Sequence, residues 1–278
     1  MNLQVVKGKM MKLLTNLRPS KPLKELRWFD IAVITLLMFG QFIYRSTELY
    51  LASFAPASST GATETVTNTA TEGAAFSSNF NFQLLMLVLT ILYLLFRRFD
   101  FKQLPIRLSW SVLLWTPLIF VAVGFFGDIV TTLSGEYNYF DPTLWSYVDV
   151  LEIFRKFAEL TPMAILYGLL NGFYEEFFFL GLMTSVKDKY KWWALAYSTI
   201  IRISFHTYQG MLWALVIGVV YGLFYYFLYK YKVKNLLPFF LMHALADMFG
   251  SSLMYVLIKW RWFLQNDNKK AICSPFFL

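Results

Sequence analysis

The chain has 278 residues, of which 58% are hydrophobic, 20% aromatic and only 15% charged. Soluble domains carry about a quarter charged residues, so this is more apolar side chain than one globular core can bury. The formal net charge of +8 comes from Lys and Arg gathered in short segments between apolar runs. That is the pattern of membrane topology and anionic head groups, not of a nucleic-acid surface, and the single Cys273 excludes an intrachain disulfide and a Cys-rich metal site.

Runs of about 18 or more apolar residues match the thickness of a bilayer core, and backbone in hydrocarbon must pair internally, so such runs are helices. The expectation is an all-α, polytopic transmembrane bundle of about seven or eight spans. Residues 1–28 carry Lys7, Lys9, Lys12, Arg18, Lys21, Lys24 and Arg27 against Glu25. This reads as a cytoplasmic basic arm, too long and too charged for a cleaved signal peptide. Spans are predicted at 29–51, 81–96, 108–133, 160–183, 192–208, 211–229 and 236–258. Between the first two, 52–80 is rich in Ala, Ser and Thr without Lys or Arg, the composition of a flexible outside loop.

Later turns alternate in charge. Arg97, Arg98, Lys102 and Arg107 fill 97–107, 134–150 has no basic residue, and lysines fill 187–191 and 230–234. This places the N-terminus inside. Seven spans leave Lys259, Arg261, Lys269 and Lys270 outside, and Arg155 and Lys156 fall on the outer side too. A missed span or a re-entrant segment would reconcile them. The organisation read here is a basic arm (1–28), accessory transmembrane helices (29–133), a transmembrane core (134–259) and a tail (260–278). Gly168/Gly172 and Gly218/Gly222 have the small-xxx-small spacing of close helix packing.

Ionisable groups deep in a bilayer cost several kcal/mol each and mark functional candidates. Three sets fall inside predicted spans: Glu175 with Glu176, His206, and His243 with Asp247. Glu175 lies twelve residues from Lys187, His206 fifteen from Lys191 and His243 nine from Lys234, or roughly 18, 22 and 14 Å of helix. With ordinary tilt they can meet near the midplane. His243 and Asp247 share a helix face. Glu175 and Glu176 diverge by about 100°, so one is expected to face a cavity and the other a neighbouring helix. A carboxylate beside an imidazole can activate water, and a second imidazole can stabilise an oxyanion. Two His and a carboxylate can instead hold a divalent metal. Both routes lead to hydrolysis.

At these residues the sequence resembles the CAAX protease and bacteriocin-processing family of intramembrane endopeptidases, also called Abi. The family has three motifs on separate helices: EExxxR, FxxxH, and HxxxN or HxxxD. Here they stand as Glu175-Glu176-Phe177-Phe178-Phe179-Leu180, Arg202-Ile203-Ser204-Phe205-His206, and His243-Ala244-Leu245-Ala246-Asp247, within about 160–250. The resemblance implies that 134–259 is the CAAX-protease-like core and that the activity is endopeptidase cleavage of a membrane-associated, lipidated or hydrophobic peptide or protein. Glu175 and His206 would activate water, His243 and Asp247 would bind the oxyanion or scissile segment, and Glu176 would orient the site.

No resident cofactor is expected. Zinc held by Glu175, His206 and His243 is the alternative. Implied partners are membrane lipids and the membrane substrate, with no nucleic acid, and the implied location is a bacterial plasma membrane. Three departures matter. Leu180 replaces the first motif's Arg, and Arg202 replaces the second motif's Phe, so Arg202 is expected to supply the missing cation and contact substrate. Asp247, when ionised, accepts but does not donate. Two other functions remain open at this point. One is a catalytically inactive relative acting as a membrane binding or bacteriocin-immunity protein. The other is a proton-coupled transporter built on intramembrane Glu, His and Asp.

Overall fold

The computed structural model describes residues 19–55 and 69–259, the side chains of 69–76 excepted. Helices form its framework: α1 (Trp28–Ala52), α2 (Thr69–Phe96), α3 (Trp110–Ser134), α4 (Glu152–Glu159), α5 (Pro162–Glu176), α6 (Lys191–His206), α7 (Met211–Val233), α8 (Leu237–Phe249) and α9 (Leu253–Leu257). Among the described residues, extended pairing is confined to two isolated bridges, Leu23 with Phe99 and Val148 with Ile258. Trp28–Ala52, Ser77–Phe96, Trp110–Ser134 and Met211–Val233 are each long and apolar enough to cross a membrane, and α8 is a shorter apolar helix. The sequence expects seven or eight spans. At the fourth expected position the chain is helical over 162–182, α5 running on into a π-helical stretch Phe177–Leu182, while α6 at the fifth has 16 residues, short of the roughly 20 that a bilayer core takes.

Three boundaries differ from the sequence reading. Helix α2 begins at Thr69, so helix replaces loop over 69–80, while 56–68 lie outside the described residues. The run 236–258 breaks after Phe249, where Gly250 adopts φ +82°, a left-handed conformation that glycine takes without penalty. The third concerns Arg155 and Lys156. They belong to α4, an eight-residue helix, too short to cross a bilayer core by itself, with Phe154 and Phe157 exposed. Ahead of it, the Leu151 amide and then Arg155 hold the Asp149 carboxyl below the usual carboxylate range. The tail residues Arg261, Lys269 and Lys270, and residues 1–18 of the basic arm, lie outside the described residues.

The chain divides into two compact units. The first contains the described residues of Met1–Ala55, Gln83–Pro105 and Phe178–Tyr226. Its aromatic centre is Phe39, with ring centroids 4.8 Å from Phe178, 5.2 Å from Phe179 and 4.9 Å from Phe205. The phenylalanine run after the acid pair is therefore core packing. A Cβ at Gly218 would collide with Ile203, so α6 and α7 approach as closely as they do because residue 218 has no side chain. Asp30, Tyr93 and Arg97 form a buried polar cluster. The Arg97 guanidinium grips both oxygens of Asp30, and the Tyr93 hydroxyl donates to Asp30 Oδ1 at 2.7 Å.

The second unit contains the described residues of Pro56–Phe82, Ile106–Phe177 and Phe227–Leu278. Here α8 packs along α5 and also against α3. A Cβ at Gly172 would stand 2.5 Å from the Phe240 carbonyl oxygen and 2.7 Å from the Ala244 nitrogen. The two helices thus meet backbone to backbone, one turn before the acid pair. Asp128 of α3 accepts from Ser252 Oγ and, at 3.0 Å, from the Met254 amide, which caps α9. Lys156 is buried and donates to the carbonyls of Tyr255, Val256 and Ile258, closing the other end of α9 from α4.

Candidate active site

Glu175 and Glu176 end α5, and both are buried. The contact made possible by Gly172 sets α8 directly against them, and His243, six positions before α8 ends at Phe249, reaches both. Its Nδ1 lies 2.8 Å from Glu176 Oε1. A carboxylate oxygen accepts, so Nδ1 carries the hydrogen and donates it. Its Nε2 lies 3.6 Å from Glu175 Oε2 and 3.7 Å from Asp247 Oδ1. Those separations are too long for direct hydrogen bonds and fall in the range that a bridging water spans. The adjacent glutamates therefore share a target, flanking one imidazole on its two different nitrogens. The sequence expectation of one glutamate in a cavity and the other on a neighbouring helix is corrected accordingly.

A further residue completes the ring. Asn171 Nδ2 donates to Glu175 Oε1 at 3.1 Å and to Asp247 Oδ2 at 2.9 Å. Each carboxylate thus offers one oxygen to the amide and turns the other toward His243 Nε2. Asp247 accepts from Asn171 through Oδ2 and turns Oδ1 toward His243 Nε2 without a direct hydrogen bond. Sequence reasoning did not single out Asn171. The signal was its place four residues before Glu175, one helix turn along the same face. Glu175, Glu176 and His243 also offer donor atoms within 4.8 Å of one another. That oxygen and nitrogen set suits a divalent cation such as zinc, with Glu176 in the place the sequence gave to His206.

Arg202 and His206 stand on α6 in the first unit and are both buried. His206 Nδ1 lies 2.8 Å from the Arg202 carbonyl oxygen. That oxygen accepts only, so the hydrogen sits on Nδ1 and the neutral ring presents Nε2 as an acceptor. The turn after it is pinned to α1: Ser46 Oγ bonds Thr207 Oγ1 at 2.9 Å and accepts from the Tyr208 amide at 2.9 Å. The Arg202 guanidinium lies 4.1 Å from the Phe179 ring centroid and 5.6 Å from that of Tyr225. Its stem runs past Gly222, where a Cβ would be 3.5 Å from Arg202 Cδ. Leu180 lines the same small cavity as Arg202. The side chain that replaces the motif's arginine and the arginine that the second motif gains are thus neighbours within one unit.

Residues 157–249 match the family model of the type II CAAX prenyl endopeptidases, Rce1-like, which is consistent with the CAAX protease and bacteriocin-processing family. The matched stretch includes Glu175, Glu176, Arg202, His206, His243 and Asp247. No curated protein matches the chain, and no solved structure does.

Proposed function

We propose, from a Rce1-like region that spans all three motifs, that the chain is an intramembrane endopeptidase. It hydrolyses a peptide bond in a membrane-associated, lipidated or hydrophobic peptide or protein, with a water activated by glutamate and histidine. The observation that carries this reading is the convergence of Glu175, Glu176 and Asp247 on the two nitrogens of His243.

In this mechanism Glu175 takes the proton of the attacking water as general base. Glu176 fixes the orientation of His243 through Nδ1. His243 donates to the developing oxyanion from Nε2 when it is protonated at both nitrogens, and Asp247, held by Asn171, lies beside that nitrogen and favours the charged ring. By the family resemblance His206 shares in activating water, and its Nδ1–H bond to the Arg202 carbonyl suits it to accept a proton at Nε2. Arg202 supplies the cation that Leu180 does not and contacts substrate. A resident zinc ion, if present, would be held by Glu175, Glu176 and His243 and would polarise the scissile carbonyl. Assay in a chelator distinguishes that case.

The test is cleavage in membranes. Wild type, Glu175→Ala and His206→Ala are co-expressed with lipidated and hydrophobic peptide reporters, with insertion of each variant measured. Cleavage by wild type that both variants lose supports the reading. Arg202→Leu is expected to abolish cleavage at unchanged expression, and retained cleavage sinks its assigned role. A second reading, an inactive relative acting as a membrane binding or immunity protein, is favoured by one observation: Leu180 is fully buried where the motif has arginine. Absence of cleavage by wild type against its native substrate would select it.

A further inference from the structure

Two concavities of the first unit meet at Trp28 and Tyr190. One is walled by these rings together with Trp193, Ala196, Tyr197 and Ile200. The other follows the chain from Pro22 to Arg27 and is closed by Val186 and Lys187. The first is apolar and aromatic. Trp28 sets its ring edge-on to Tyr190 and Tyr197, at 6.2 Å in each case, while Trp193 and Ile200 are 71% and 59% exposed.

The second is cationic. Lys24, Arg27 and Lys187 line it against one acid, Glu25. Beside it, Lys189 lies over the Tyr190 ring at 4.8 Å, and Asp188 is engaged by Lys191 at 3.2 Å. The rim is held in shape by its backbone. Leu26 donates to the Ser185 carbonyl at 2.7 Å and Leu23 to that of Arg98 at 2.8 Å. Trp28 also opens α1, a helix long enough to cross a bilayer, so the groove lies where that helix leaves the hydrocarbon. That is the depth at which Trp and Tyr rings settle.

We propose that this groove binds one anionic glycerophospholipid. The phosphate sits against Lys24, Arg27 and Lys187, and an acyl chain runs along Trp193, Tyr197 and Ile200. The argument is charge complementarity joined to shape. An amphiphile with a negative head and a hydrocarbon tail satisfies both halves at once, and the surrounding bilayer supplies it. A zwitterionic lipid offers the same chains without net charge, so discrimination falls on the basic rim.

The experiment uses the full chain in a non-ionic detergent. Retained lipid is counted by native mass spectrometry during titration with phosphatidylglycerol and phosphatidylcholine of identical chains. Wild type is expected to bind phosphatidylglycerol at least tenfold more tightly. Lys187→Gln, at an exposed side chain, is expected to cut that preference by half or more, and Arg27→Gln with Lys187→Gln to abolish it. Trp193→Ala is expected to weaken both lipids alike, with thermal melting of each variant as the fold check. Equal binding of the two lipids by wild type, or an undiminished preference in both charge variants, overturns the proposal. Displacement of phosphatidylglycerol by an equimolar prenylated peptide also overturns it, by making the groove a substrate seat.

Discussion

Each compact unit buries carboxylate on a helix, and the two treat it differently. In the first, Asp30 meets one guanidinium, one hydroxyl and the Arg27 amide, all at hydrogen-bond distance. In the second, three carboxylates surround one imidazole, and two of them stop 3.6 and 3.7 Å short of its Nε2. An acid closed by a matching cation is architecture, because removing either partner strands a buried charge. Acids gathered on a single titratable ring, two of them without a direct hydrogen bond to it, are arranged for proton transfer. Burial alone does not separate the two cases, since Asp30 and Glu176 are both fully buried. The partner set does.

The sharpest way to break this contrast is a paired substitution. Glu175→Gln should lower cleavage by about 10²- to 10⁴-fold, the usual worth of a general base, while leaving the melting temperature in place. Asp30→Asn should do the reverse. It costs about 3–5 kcal/mol by uncovering Arg97, seen in thermal melting, while the folded fraction keeps its specific activity. If both variants lose stability and activity together, the distinction fails. Next in size is Gly172→Ala, which should lower both quantities, because the added Cβ meets the Phe240 carbonyl and the α5–α8 contact cannot close. Overpacking of this kind costs about 1–3 kcal/mol, and wild-type melting in the variant would show that the contact yields.

Asn171→Leu sharpens the comparison within the site. It keeps the branching and removes the donor, so kcat should fall about 10- to 150-fold at unchanged KM, as for loss of a hydrogen bond to a charged group worth about 1.5–3 kcal/mol. A change confined to KM would assign Asn171 to substrate contact instead. The smallest effect is expected for Tyr93→Phe. Asp30 keeps its guanidinium, so stability should drop by about 1 kcal/mol and cleavage should not change.

Much of this was legible in the sequence because hydropathy and charge act locally. The long apolar runs became α1, the second half of α2, α3 and α7, and the motif residues Glu175, Glu176, His243 and Asp247 lie together in the second unit. The glycine pairs announced close packing, and Gly172 and Gly218 provide it. What escaped depended on partners far away in the chain. Asn171 is a neutral amide in an apolar run, and its role appears only when Asp247, 76 positions later, comes alongside. Lys156 looked like a misplaced topogenic charge until the carbonyls of α9 gave it a buried use. The break at Gly250 was hidden by apolar residues on both sides, since hydropathy is blind to the sign of φ.

Gly172 has one more consequence, for searching other genomes. The pattern EE, H and HxxxD can arise by chance in any chain of apolar helices, and composition does not separate the accidental from the assembled. A residue with a side chain three positions before the first acid would hold α5 and α8 apart, and the carboxylates would not reach the imidazole. Glycine at that position is therefore a filter for this arrangement, readable without coordinates, that sorts sequences able to build the ring from those that merely spell it.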